Sequence, residues 1–225
     1  MKTLSAIFLS IIASFGLLYT PVILSAEEST LEVMITPDAG SLEVEHNGKT
    51  IIVQRNQDRE HRIRDKLTLT SRECPPHCVQ PISILGVETI GEIELLERLR
   101  RRTQGDRSVL IVDTRPEKFV AQGTIPGSIN VHGDLLIEER GANMFTIEEA
   151  YLQFGVKGEG NDWDYSNAKE LVLFCFGIWC GQAPKTINAL VELGYPKEKL
   201  KWYRGGIQAW ESLGLTTIRA ENKPQ

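Results

Sequence analysis

Leu171-Val-Leu-Phe-Cys-Phe-Gly-Ile-Trp-Cys-Gly-Gln-Ala-Pro184 places an apolar run, a cysteine, a glycine-containing loop and the start of an amphipathic segment end to end. The apolar run up to Cys175 reads as a buried parallel strand. Ala183 to Leu193, with Ile187, Leu190 and Val191 on one stripe and Gly194 as a stop, reads as the helix that follows. Residues 176–181 then form a loop between the carboxyl end of a strand and the amino end of a helix. Backbone N–H groups and the helix dipole turn their positive ends into such a loop, which lowers a cysteine pKa and cradles an anion. Ligands of open α/β sheets bind at this edge, so Cys175 is the candidate nucleophile.

Outward from this stretch, strand and helix signals alternate from Val87 onward, as a parallel sheet with crossover helices requires. Thr89 reads as an N-cap with Glu92 three residues on. Ile93, Leu95, Leu96 and Leu99 form a stripe that ends in Arg100-Arg-Arg102, read as a solvated helix end rather than an anion site. Val109–Val112 is a second buried strand, followed by Asp113-Thr-Arg115 and by Pro116 opening a short helix. Thr146 to Phe154 is amphipathic, and Leu200–Tyr203 is a last strand, turned by Gly205-Gly206 into a helix around Trp210. Residues 27–86 differ. Ser41 to Gln54 alternates about Asn47-Gly48, a hairpin signal. Leu67–Thr70 suggests another strand, and Arg55–Lys66 an exposed connection. We therefore expect an α/β domain over 87–219, a small β-rich appendage over 27–86 packed against it, and a short tail, 220–225.

The first 26 residues carry one lysine and no acid, with an apolar core from Ile7 to Leu18, a break at Pro21 and Leu24-Ser-Ala26 as a cleavage site. This is the pattern of a secretory signal peptide; left uncleaved, it would anchor the chain in a membrane. Its removal moves the net charge from −5 to −6, and an acidic surface argues against nucleic acid as partner. The four cysteines, Cys74, Cys78, Cys175 and Cys180, fall in two close pairs. Export would favour disulfides, but spacing alone does not choose among the connectivities.

Taken together, Val109-Leu-Ile-Val-Asp-Thr-Arg115, Gly123-Thr-Ile-Pro-Gly-Ser128, the Cys175 loop and Trp202-Tyr-Arg-Gly-Gly-Ile-Gln-Ala-Trp210 resemble the rhodanese (sulfurtransferase) domain over roughly Val87 to Ile218. The resemblance implies a five-stranded parallel sheet flanked by helices, with the active cysteine in the loop after a central strand. It implies an activity too: the cysteine takes a sulfane sulfur from a donor, becomes a persulfide and passes the sulfur to a thiophilic acceptor. Amides of Phe176, Gly177, Ile178, Trp179 and Gly181 would surround that persulfide, with Gly177 and Gly181 clearing the curl of the loop. Asp113 and Arg115 resemble the family's structural Asp-x-Arg pair and are expected to brace the loops. Thr124 stands where the family more usually has histidine.

The chain departs from the family inside the loop. Rhodaneses that use thiosulfate commonly carry a basic residue beside the cysteine and an arginine five positions after it; here Phe176 and Cys180 take those places. With no cation in the loop, a small dianion is expected to bind weakly, and an apolar or protein-borne persulfide becomes the favoured donor. Related cysteine phosphatases and arsenate reductases need an arginine at the loop's end, which Gly181 and Gln182 do not replace. Cys180 is either a resolving thiol that closes a disulfide on Cys175 or a small buried residue in place of arginine. Cys74-Pro-Pro-His-Cys78 is a disulfide staple, a second thiol pair beside Cys175, or a soft-metal site using His77. Trp163, Trp202 and Trp210 read as core or anchoring aromatics and Trp179 as a border of the substrate entrance. His46, His61 and His132 read as surface or turn residues.

Three functions follow as expectations. The first is an exported, periplasmic-type sulfurtransferase with Cys175 as persulfide carrier. The second is a thiol–disulfide or persulfide reductase cycling Cys175 with Cys180, and the third a non-catalytic binding module on the same fold. No cofactor or metal is expected. The expected partners are a small sulfur donor or a protein persulfide or thiol, with membrane contact only through an uncleaved N-terminal segment.

Overall fold

The computed structural model describes residues 31–160 and 162–219. The expected signal segment and the tail lie outside the described residues. In chain order the elements are β1 (Ser41–His46), β2 (Lys49–Gln54), α1 (Asp65–Thr68), β3 (Glu88–Ile90), α2 (Glu92–Thr103), β4 (Val109–Asp113), α3 (Glu117–Val120), β5 (Ser128–Asn130), α4 (Met144–Phe154), β6 (Lys157–Glu159), β7 (Asp162–Asp164), β8 (Glu170–Phe174), α5 (Gln182–Glu192), β9 (Leu200–Tyr203) and α6 (Gly206–Ser212). Five strands form a parallel sheet in the order β3-β9-β8-β4-β5. The chain leaves β4 toward one sheet edge, at β5, and leaves β8 toward the other, at β9. The ends of β4 and β8 therefore flank the point where the winding direction reverses, where ligands of open α/β sheets bind.

Both faces of this sheet are covered, so the interiors of its central strands, Val109–Val112 and Leu171–Phe174, are apolar. Successive residues point to opposite sides. Leu110, Val112, Leu171 and Leu173 pack with Ile147 and Tyr151 of α4 and Ile187 and Leu190 of α5. Val109, Ile111, Val172 and Phe174 pack with Leu95 and Leu99 of α2 and Ile207 and Trp210 of α6. The β1–β2 hairpin adds Val44 and Val53 to the second cluster. Its turn has positive φ at both Asn47 and Gly48, 50° and 75°, as a two-residue hairpin of this kind demands. Trp202 and Trp210 are buried in the core, and Trp163 packs edge-on against Tyr151.

Several expectations are corrected. Leu67–Thr70 is no strand: Asp65–Thr68 is one helical turn, closed by Leu67 N–H donating to Arg64 O (2.8 Å) and Thr68 Oγ1 donating to Asp65 O (2.6 Å). The two-residue alternation of Leu67 and Leu69 is too short to define a face, and only Leu67 is buried. Thr89 lies in β3 and is not the cap of α2. That place is Gly91, whose N–H donates to the Glu94 carboxylate at 3.0 Å. The connection 55–66 is tied down at both ends. Asn56 N–H donates to Gly214 O (2.7 Å), and Arg64 Nε donates to Glu211 (2.8 Å). Of the arginine cluster, Arg102 turns inward and donates to Val109 O. The small β6–β7 hairpin has no counterpart in the expectations.

Candidate active site

Cys175 is the first residue after β8, beside the end of β4, where Asp113 and Phe174 are register partners. The start of α6 clamps the loop from one side: Ile207 N–H donates to Cys175 O (3.0 Å) and Gln208 N–H to Phe176 O (2.8 Å). Gly206 makes this approach possible. Its φ is +59°, and a Cβ there would sit 2.5 Å from Cys175 O and 2.8 Å from Gly177 N, so no other residue fits. At Gly177 a Cβ would meet Gln208 Oε1 at 2.7 Å, whereas at Gly181 the nearest atom is 3.7 Å away and a side chain has room. Thus a side chain at Gly177 would displace the Gln208 amide, whereas one at Gly181 would not. Gln208, which sequence reasoning missed, accepts from Trp179 Nε1 (2.8 Å) and donates to Leu67 O (2.7 Å). It therefore joins the loop to the N-terminal segment.

Cys175 and Cys180 are joined by a disulfide, with Cα atoms 6.3 Å apart, and both are buried. The five-residue separation thus brings the sulfurs into bonding reach. Cys180 N–H donates to Gly177 O at 2.9 Å, which removes it from any anion-binding ring. The amides of Phe176, Gly177, Ile178, Trp179 and Gly181 donate to no acceptor among the described residues. Cys74 and Cys78 form a second disulfide, with Cα atoms 4.7 Å apart. That bond occupies both sulfurs that a soft-metal site would need as thiolates, and the His77 ring lies edge-on to Trp179, 5.4 Å between centroids.

Asp113 and Arg115 are fully buried and face each other: Nε to Oδ1 is 2.9 Å and Nη2 to Oδ2 is 2.6 Å. Arg115 also donates to Gly123 O (2.8 Å), and Thr124 Oγ1 donates to Asp113 Oδ2 (2.7 Å). Thr124 thereby fills the remaining acceptor position on the carboxylate. A buried ion pair needs this full set of hydrogen bonds. The Arg115 guanidinium lies 5.1 Å from the centroid of the Phe176 ring, so the pair braces the loop through the residue after Cys175.

Cys175 and Cys180 line a cavity of about 1010 Å³. Phe119, Phe176, Trp179 and Leu67 give it an apolar wall; Phe176 stacks on Trp179 at 5.6 Å and meets Phe119 edge-on at 5.0 Å. Trp179 is thus part of the cavity lining. The loop holds no cation, as its sequence says, yet the cavity is basic, because folding brings cations to it from elsewhere in the chain. Three of these are neutralised: Arg64 by Glu211, Arg115 by Asp113 and Arg140 by Asp134. Burial works against ionisation of Asp134, but Gln182 Nε2 at 2.9 Å and Arg140 hold its carboxyl below the usual range. Lys66, Arg72, Lys185 and Arg219 also line the cavity, with no carboxylate partner among the described residues. The expectation that a small dianion would meet backbone amides alone is thus corrected: the missing charge is nonlocal in sequence.

The model of the rhodanese-like domain matches residues 95–213, more than half of the chain, including the Cys175 loop and the Asp113–Arg115 pair. The chain belongs to the rhodanese-like domain family. Among solved structures, a Bacillus halodurans protein is 19% identical at a TM-score of 0.42, the match covering 59% of this chain and 77% of that one. The 3-mercaptopyruvate sulfotransferase SseA of Escherichia coli is 22% identical at 0.36, covering 52% and 39%. A human single-domain sulfurtransferase is 21% identical at 0.35, covering 56% and 97%. No curated protein matches the chain. The rhodanese-like match begins at Leu95, so Trp179's neighbours Arg72 and His77 come from outside the rhodanese-like match.

Proposed function

We propose that this protein is an exported sulfurtransferase in which Cys175 carries sulfane sulfur as a persulfide. The observation that carries the reading is the placement of Cys175. It sits at the carboxyl edge of the central strand, in a loop with uncommitted amides, and opens on a basic, apolar-walled cavity. An external dithiol first reduces the Cys175–Cys180 bond and is itself oxidised to a disulfide. The Cys175 thiolate then attacks the outer sulfur of a donor. With thiosulfate, the S–S bond breaks and sulfite leaves with its electron pair; with a persulfide, a thiolate leaves. The Cys175 persulfide is held by the loop amides and the positive end of α5. An acceptor thiolate attacks the outer sulfur and Cys175 departs as thiolate, ready for another round. The paired disulfides support the exported setting, since such bonds persist in oxidising compartments.

The bond between Cys175 and Cys180 favours a second reading. The Cys180 thiolate attacks the inner sulfur of the Cys175 persulfide, hydrosulfide leaves, and the disulfide re-forms until a dithiol reduces it. Steady-state transfer to an added thiol separates the two. Cys175→Ser should be inactive. Cys180→Ser should keep multiple turnovers if Cys175 is a carrier and stop after one sulfur if the disulfide is obligatory. Undiminished turnover by Cys175→Ser would refute both.

A further inference from the structure

We infer that the segment before the family match supplies the anion site that the active loop lacks, with Arg72 holding the charged end of an anionic sulfur donor. The inference rests on the sulfur-transfer role proposed for Cys175. Arg72 lines the same cavity as Cys175 and is joined to it through packed rings: its guanidinium carbon lies 3.8 Å from the Trp179 ring centroid, Trp179 stacks on Phe176, and Phe176 follows Cys175. Of the four cavity cations without a carboxylate among the described residues, Lys66, Lys185 and Arg219 are exposed, whereas Arg72 is partly buried. Its Nη2 donates to Lys66 O at 2.9 Å, but its Nε is buried with no acceptor. A partly buried guanidinium with a donor left unmet is costly, and binds an anion more strongly than a fully solvated one does.

The segment that carries Arg72 is held at both ends on the active loop and its clamp. Leu67 O accepts from Gln208 Nε2, Gln80 N–H donates to Ile178 O (2.9 Å), and Arg204 Nη2 donates to Gln80 O (2.7 Å). The Cys74–Cys78 bond closes the turn between these ends. Arg72 thus sits on a segment fastened at both ends, and an arginine lines the same cavity as Cys180, which replaces one in sequence. The ligand chemistry is an anionic group beside a sulfane sulfur: the sulfonate of thiosulfate or the carboxylates of an acidic peptide persulfide, for which the cavity of about 1010 Å³ has ample room.

The test pairs binding with selectivity in the full chain. Calorimetry measures thiosulfate and glutathione binding to reduced Cys175→Ser protein with and without Arg72→Gln. Initial rates compare thiosulfate, glutathione persulfide and the uncharged dimethyl trisulfide as donors, with thermal melts as the check on folding. Arg72→Gln should weaken anion binding roughly tenfold or more and lower selectivity for an anionic over the neutral donor by a similar factor, through KM, with Arg72→Lys partly restoring both. An effect confined to thiosulfate identifies a sulfonate ligand; one confined to glutathione and its persulfide identifies carboxylates. Equal losses for charged and neutral donors, unchanged anion affinity, or no anion binding to either protein would overturn the inference. Failure of every donor to load Cys175 would refute the sulfur-transfer reading instead, while the binding comparison still tests Arg72.

Discussion

Asp113 and Arg115 are each hydrogen-bonded to the other and out of contact with solvent, so deletion of one leaves a buried charge without its partner. Asp113→Ala should lower stability by about 3–5 kcal/mol in urea unfolding. Glu97→Ala, which breaks an exposed pair with Arg100, should barely move it; equal effects would contradict the bracing role. Gly206→Ala forces a Cβ to 2.5 Å from Cys175 O at φ +59°. It should cost about 1–3 kcal/mol and depress sulfur loading through a displaced loop; unchanged loading at unchanged stability would show that the clamp is dispensable. The nucleophile and the Asp-x-Arg pair were legible in the sequence because each ends an apolar strand, a placement the local pattern encodes. Gln208 and Arg72 were not, because their roles come from meeting Trp179, which lies 29 and 107 residues away in sequence.

At the scale of elements, the hairpin was legible because Asn47-Gly48 is one of few pairs that tolerate positive φ twice in succession. The helical turn at Asp65–Thr68 was not, since four residues carry too little periodicity to separate helix from strand. The hairpin docks through His46, whose Nδ1 accepts from Gly127 N–H at 3.2 Å. Burial pushes this imidazole below its ordinary value of 6.5. A His with a lowered folded pKa favours unfolding when protonated, so its contribution is intact above the unfolded pKa and is lost as pH falls through the folded one. Stability should therefore decline as pH falls through about 6.5 and on through the lower folded value in the wild type, and less so in His46→Gln. A parallel decline in both would place the titrating group elsewhere. The Cys74–Cys78 bond closes a short loop, so Cys74→Ser/Cys78→Ser should cost at most about 2 kcal/mol globally. Its larger effect should be faster hydrogen exchange at Gln80, whose amide donates to the active loop. Unaltered exchange there would separate the disulfide from the positioning of Arg72.

At the scale of the molecule, the five-stranded parallel sheet follows from alternating strand and helix signals, and its two apolar faces follow from the unbroken apolar runs Val109–Val112 and Leu171–Phe174. The charge of the site does not follow in this way. The chain carries a net charge of −5, yet its folding gathers around the cavity that contains Cys175 cations with no carboxylate partner among the described residues. That contrast is invisible to composition because it depends on which residues the topology brings together. The most direct test of the account is the intact mass of the reduced protein after brief exposure to thiosulfate or glutathione persulfide, set beside Cys175→Ser. The account predicts a gain of one sulfur atom in the wild type, located on Cys175 by peptide mapping and absent from the variant. An unchanged mass with every donor, or equal sulfur on the Cys175→Ser protein, would contradict it.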